Sequence, residues 1–150
     1  MRFVGIDPAA SKGIALVSIG EAKSAIVHTS PVFKVSEAQR LVAIRQWVNH
    51  HTPKSSVCVL VEKQFQGKIL PAIAAVCVEG SQAAAPGAVV LEMMPSSWRL
   101  AVSGSGRMSK EQAILLAAEY GVPAQDDLAE ALCMAVVARR RWREATDGFT

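Results

Sequence analysis

The chain has 150 residues, of which 51% are hydrophobic and 19% charged, with a formal net charge of +3. That length suits one domain able to bury its own core without disulfides, and the composition excludes wholesale disorder. The longest uninterrupted apolar run, residues 131–138, falls far short of the ~20 residues of a membrane span, and an early acid at Asp7 breaks any signal-peptide pattern. The expectation is a single domain over residues 1–150, soluble and intracellular. Cys58, Cys77 and Cys133 each sit in an apolar run without the spacing of a zinc site, as small core residues in a reducing compartment do.

Taken in chain order, residues 2–6 read as a buried strand, and 13–19 and 22–28 as two more, with a turn around Gly20. Ser36 and Gln39 have capping-box spacing, and Leu41, Ile44, Trp47 and Val48 follow at helical period, predicting a helix over 37–50. Residues 56–62 read as a fully buried strand, an apolar run rich in β-branched side chains that ends in the carboxylate of Glu62. Residues 63–68 are a loop. The Ala-rich stretch 71–84 is helical, either as a dimer face or as a plain core helix, and Pro86-Gly87 breaks it. Residues 88–93 make a fifth strand. Pro95 can open a short helix carrying Trp98, and the glycines of 103–108 mark a loop. A second capping box, Ser109 to Gln112, opens a helix that Gly121 and Pro123 end near Tyr120. The last helix runs from near Asp126 to about Arg143. The order β-β-β-α-β-α-β-α-α-α predicts an α/β fold, a mixed five-stranded sheet flanked by helices.

Most of the acids fall in turns or on polar helix faces. Four do not: Asp7 and Glu62 end buried strands, and Asp127 and Glu130 share one face at the start of an otherwise apolar helix. Ionised carboxylates are costly to desolvate unless they are paired or bind a metal. An all-oxygen cluster suits Mg²⁺ or Mn²⁺ rather than zinc, and two such ions can drive phosphodiester hydrolysis. Asp126 is expected to be an ordinary N-cap.

These residues also carry a resemblance. Met1-Arg2-Phe3-Val4-Gly5-Ile6-Asp7-Pro8 resembles the first strand of RuvC-type Holliday junction resolvases, which are ribonuclease-H-like proteins. Val61-Glu62-Lys63-Gln64-Phe65-Gln66-Gly67-Lys68 is similar to their second motif. Residues 102–112, with Gly104-Ser105-Gly106-Arg107 ahead of Lys110, resemble their Gly-Ser-Gly-Arg segment, and Asp126-Asp127-Leu128-Ala129-Glu130 their last motif. All four occur in family order. The resemblance implies a ribonuclease-H-like fold and a crossover junction endodeoxyribonuclease. It implies Asp7, Glu62, Asp127 and Glu130 as catalytic metal ligands, two divalent ions per site, and a homodimer acting on four-way junction DNA. The setting would be the cytoplasm of a bacterium or phage-infected host, and the short chain suits a phage-type member. Two positions depart from the family pattern: Ala9 replaces the usual Gly, and Glu130 is one methylene longer than the usual Asp.

Phe65, between Lys63 and Lys68, is a candidate for stacking on an unpaired base. Arg107 is a candidate phosphate ligand, and Lys110 sits in the first helical turn, where the dipole disfavours a cation, which suggests DNA contact or charge balance beside the acids. Arg139 to Arg143 are read as a solvated helix end with DNA contact as the alternative, and Trp47, Trp98 and Trp142 as packing residues. Two other functions compete: a ribonuclease-H-like nuclease on other branched DNA or RNA, and a junction-binding module with little cleavage. An actin-like ATPase is excluded by length.

Overall fold

The computed structural model describes all residues except 9–12, 31–35, 53–56, 65–68, 85–86, 105–107 and 148–150. The elements in order are β1 (Arg2–Asp7), β2 (Ile14–Ile19), β3 (Ala25–Ser30), α1 (Glu37–His51), β4 (Val57–Glu62), α2 (Ile69–Ala84), β5 (Val89–Met93), α3 (Pro95–Ser103), α4 (Lys110–Ala118) and α5 (Asp126–Asp147). They form one mixed sheet of strand order β3-β2-β1-β4-β5. β1 to β3 are antiparallel neighbours, whereas β4 runs parallel to β1 and β5 parallel to β4. The predicted order of elements and the α/β class are those observed.

Strand periodicity sorts the core. Phe3, Val17, Ile19, Cys58 and Leu60 face α3, α4 and α5. Their neighbours Val4, Ile6, Leu16, Val59 and Val61 face α1 and α2 on the opposite side. Successive side chains on a strand point to opposite faces, so both layers draw on the same short apolar runs. The three cysteines are free and buried, and Trp47 and Trp142 pack against the two cores as expected. On α2, Ile73, Ala74 and Cys77 face the core, which accounts for that part of the Ala-rich stretch. No described helix is long and apolar enough to cross a membrane.

Three local expectations change. β3 spans Ala25–Ser30 rather than 22–28, because Ile19 pairs with Ala25 and the turn takes up the five residues between them. Asp126 is the first residue of α5 rather than its cap, since Ala129 N–H donates to the Gln125 carbonyl and so places the cap position one residue earlier. The arginines of α5 are not a merely solvated end. Arg139 donates to the Gly20 carbonyl and the Tyr120 hydroxyl, Arg140 to the carbonyls of Ala101 and Val102, and Arg143 pairs with Glu21. They fasten the distal half of α5 to the β2–β3 turn, α3 and the end of α4.

β1 and α5 approach closely at Gly5. A Cβ at Gly5 would lie 1.9 Å from the Ala131 carbonyl oxygen and 2.7 Å from the Ala135 nitrogen. Only a residue without a side chain lets the helix backbone settle directly on the strand. This contact fixes where the first turns of α5 sit above the end of β1.

Candidate active site

Parity along the strands places the first two acids. Asp7 follows Phe3 and Gly5 on the α5 side of β1, and Glu62 follows Cys58 and Leu60 on the same side of β4. Ile6 is paired in parallel with Val61, so Asp7 and Glu62 stand one residue further on, at the same edge of adjacent strands. Both are buried, at 3% and 8% exposure. α5 supplies the other two. Asp126 and Asp127 occupy its first turn, where the helix dipole favours negative charge, and Glu130 lies one turn on.

Asp7, Asp127 and Glu130 each offer an oxygen within 4.8 Å of the others. Glu130 joins this trio despite its extra methylene, and its Oε1 also lies 3.5 Å from Arg99 Nη2. Glu62 is outside the trio's mutual 4.8 Å but its charge acts on both Asp7 and Glu130. Its own oxygens are engaged: Trp98 Nε1–H donates to Oε2 at 2.7 Å and Gln64 Nε2–H to Oε1 at 2.9 Å.

The electrostatics follow from this crowding. Burial, then the charges of Glu62, Glu130 and Asp127, hold the Asp7 carboxyl well above the usual carboxylate range. Burial and Glu62 raise Glu130 as well, against the opposing pull of Arg99. Asp7 and Glu130 act on each other as well as on Glu62, so the two carboxyls cannot both ionise freely. Carboxylates so placed are relieved by a proton or by a cation. The donor set is all oxygen, which suits a hard divalent ion, and three mutually repelling carboxylates, Asp7 buried and Asp127 and Glu130 half-buried, fit such an ion at the trio.

Around the acids, a cleft of about 360 Å³ is lined by Thr29, Gln125, Asp126 and Asp127. A second cleft, of about 350 Å³, lies away from the acids on the α2 face of the sheet, lined by Ala74, Val78 and Glu79 of α2 together with Lys63, Gln64 and Glu92. Lys63 is exposed at its rim. Lys110 Nζ lies 3.3 Å from Asp126 Oδ2, so it balances charge one residue away from Asp127. Phe65, Lys68, Arg107 and Ala9 lie outside the described residues. Sequence reading passed over Gly5, Gln64 and Arg99, and took Trp98 as packing alone. No spacing rule marks them, because each acts through a contact between segments or, for Gln64, through a loop side chain folding back.

No family model matches the chain. Among curated proteins it is similar to the crossover junction endodeoxyribonuclease RuvC of Corynebacterium glutamicum, with 28% identity over 155 residues, covering 91% of this chain and 68% of that protein. Among solved structures it resembles Thermus thermophilus RuvC, with a TM-score of 0.73 and 22% identity over 97% of this chain and 98% of that one. It also resembles T. thermophilus RuvC in complex with Holliday junction substrate, with a TM-score of 0.68 and 24% identity over 97% of each chain. The fold is thus of the ribonuclease-H-like α/β class, with an acidic cluster at the edge of its central strands. Within that class, the proteins it resembles are RuvC-type resolvases, as the four sequence motifs imply.

Proposed function

We propose that this protein is a divalent-metal-dependent endonuclease that resolves four-way DNA junctions, acting as a homodimer in the cytoplasm. The observation that carries the reading is the trio of buried Asp7 and half-buried Asp127 and Glu130, with Glu62 beside it, on a RuvC-like fold. The likeness to a RuvC bound to Holliday junction substrate supports the junction as substrate. Bound Mg²⁺ or Mn²⁺, two ions per site, would supply Lewis acidity at the phosphate and a water activated for attack. The chain's own part is to hold four carboxylates where those ions bind: Asp7 and Glu62 from rigid strands, Asp127 and Glu130 from a helix pinned to β1. Arg99, paired with Glu130, keeps positive charge next to the cluster. Lys63, Phe65, Lys68, Arg107 and Lys110 are assigned to DNA, the cations to phosphates and Phe65 to an unpaired base at the junction centre.

The test is cleavage of a synthetic four-way junction with Mg²⁺ and with a chelator, beside a flap, a duplex and an RNA–DNA hybrid. Paired, metal-dependent nicks in the junction are expected. Preferential cutting of the flap or hybrid would replace the substrate assignment. Tight junction binding with no cleavage in either Mg²⁺ or Mn²⁺ would refute the enzymatic one.

A further inference from the structure

Both oxygens of Glu62 accept hydrogen bonds from well-defined donors. One donor, Gln64, lies two residues along the chain. The other, Trp98, comes from a different element and is completely buried. We propose that Trp98 is a positioning residue for the metal centre: its indole N–H fixes the Glu62 carboxylate so that the remaining lone pairs face the cation. The proposal rests on the metal-dependent reading above and deepens it.

Three observations carry it. A buried indole needs an acceptor for its single N–H, and here that acceptor is a carboxylate at 2.7 Å, the short range of a charge-assisted bond. Trp98 is also held independently of Glu62. It belongs to the core cluster that includes Leu128, Ala131 and Leu132 of α5, so its ring is fixed by the helix that carries Asp127 and Glu130. Finally, the next residue, Arg99, reaches Glu130. Two adjacent side chains of α3 thus address one acid on β4 and one on α5. With Trp98 on one oxygen and Gln64 on the other, each Glu62 oxygen keeps a lone pair for a cation, and rotation of the carboxylate would break both bonds. A phenylalanine would keep an aromatic ring in most of that space but remove the donor, leaving the carboxylate held by Gln64 alone.

The experiment titrates Mn²⁺ alone into the full chain by calorimetry, without DNA. Trp98→Phe keeps an aromatic ring and removes the donor. Loss of an outer partner of a metal ligand weakens metal binding about 10–100-fold, and that rise in the Mn²⁺ dissociation constant is expected. Metal-free junction binding should stay within about twofold, because phosphate contacts are untouched. In a Glu62→Gln background the same substitution should add less than about threefold, the signature of two groups acting through one contact. Unchanged Mn²⁺ affinity in folded Trp98→Phe, or an equal loss in both backgrounds, would overturn the proposal. If Trp98→Phe does not fold, the ultraviolet resonance Raman N–H band of Trp98 decides, read in a chain carrying Trp47→Phe and Trp142→Phe. It should shift when Mn²⁺ binds, and a band that stays put refutes the role. Junction cleavage run in parallel separates the two readings. Trp98-dependent Mn²⁺ binding without junction cleavage refutes the junction-cleaving function and leaves the positioning role standing, and cleavage with Trp98-independent Mn²⁺ binding refutes the positioning role alone.

Discussion

Gly5→Ala adds one methyl group at the contact between β1 and α5. The new Cβ would stand 1.9 Å from the Ala131 oxygen, 2.7 Å from the Ala135 nitrogen and 2.9 Å from Met134 Cβ. The two nearest atoms are helix backbone, so no rotamer change relieves the clash. Reaching the 3.0 Å that real Cβ contacts essentially never breach moves α5 away by about 1.1 Å. Overpacking of this kind costs roughly 1–3 kcal/mol. For a chain of this size each kcal/mol lowers Tm by about 2–4 °C. The withdrawal also carries Asp127 and Glu130 away from Asp7. A misplacement of about 1 Å can cost on the order of a hundredfold in rate, and that is the expected loss in single-turnover junction cleavage. Mn²⁺ affinity should fall alongside. Thermal unfolding, calorimetry and cleavage kinetics on the same preparation check all three. If Gly5→Ala lost stability but kept parental cleavage and Mn²⁺ affinity, the idea that this contact sets the acid geometry would be wrong.

Asp127→Asn should lower cleavage by about a hundredfold or more, as loss of a metal ligand does, whereas Asp126→Asn removes the partner of Lys110 but leaves the trio intact and should change it less than about threefold. Equal losses in single-turnover assays would reverse the two assignments. The raised Asp7 pKa means that the folded protein holds this proton more tightly than the unfolded chain. Its contribution to metal-free stability is therefore fully present below the ordinary value of 3.8 and is lost as pH rises through the raised folded value. Tm measured against pH in chelator should fall over that window, and Asp7→Asn should flatten the fall and raise Tm at neutral pH. If the proposed homodimer forms, mixed dimers of parental and Asp7→Asn subunits should leave junctions nicked on one strand, as seen on denaturing gels, because isologous pairing would supply one site per subunit.

The architecture was legible because burial on both faces of a sheet leaves continuous apolar runs, and 57–61 is one such run. The candidate acids were legible for a related reason. A carboxylate ending such a run, or opening an apolar helix, contradicts its surroundings and asks for a partner. What stayed hidden are contacts joining distant segments. Nothing in Pro95-Ser96-Ser97-Trp98 announces an acceptor 36 positions earlier in the chain. Arg139 and Arg140 read as a solvated end because neither the Gly20 carbonyl nor those of Ala101 and Val102 leave any trace in spacing. Gly5 looked like one small residue in a strand until the helix above it was placed. The shift of β3 by two to three residues has a similar origin, since register with β2 decides it and local composition does not.

The packing of α5 on β1 joins the last described helix to the first strand, and this has a consequence for the protein during its own synthesis. A ribosome adds about 5–20 residues per second, so on the order of ten seconds separates the emergence of Asp7 from that of Glu130. Through that interval the hairpin of β1 and β2 presents Phe3, Val17 and Ile19 with no helix over them, a surface for holdase chaperones to cover. The acid trio does not exist in any nascent chain that stops short of α5. A nascent or prematurely terminated product therefore cannot assemble the acid trio, and on the proposed function DNA would meet a competent site only after the helix that completes the core has also completed that site.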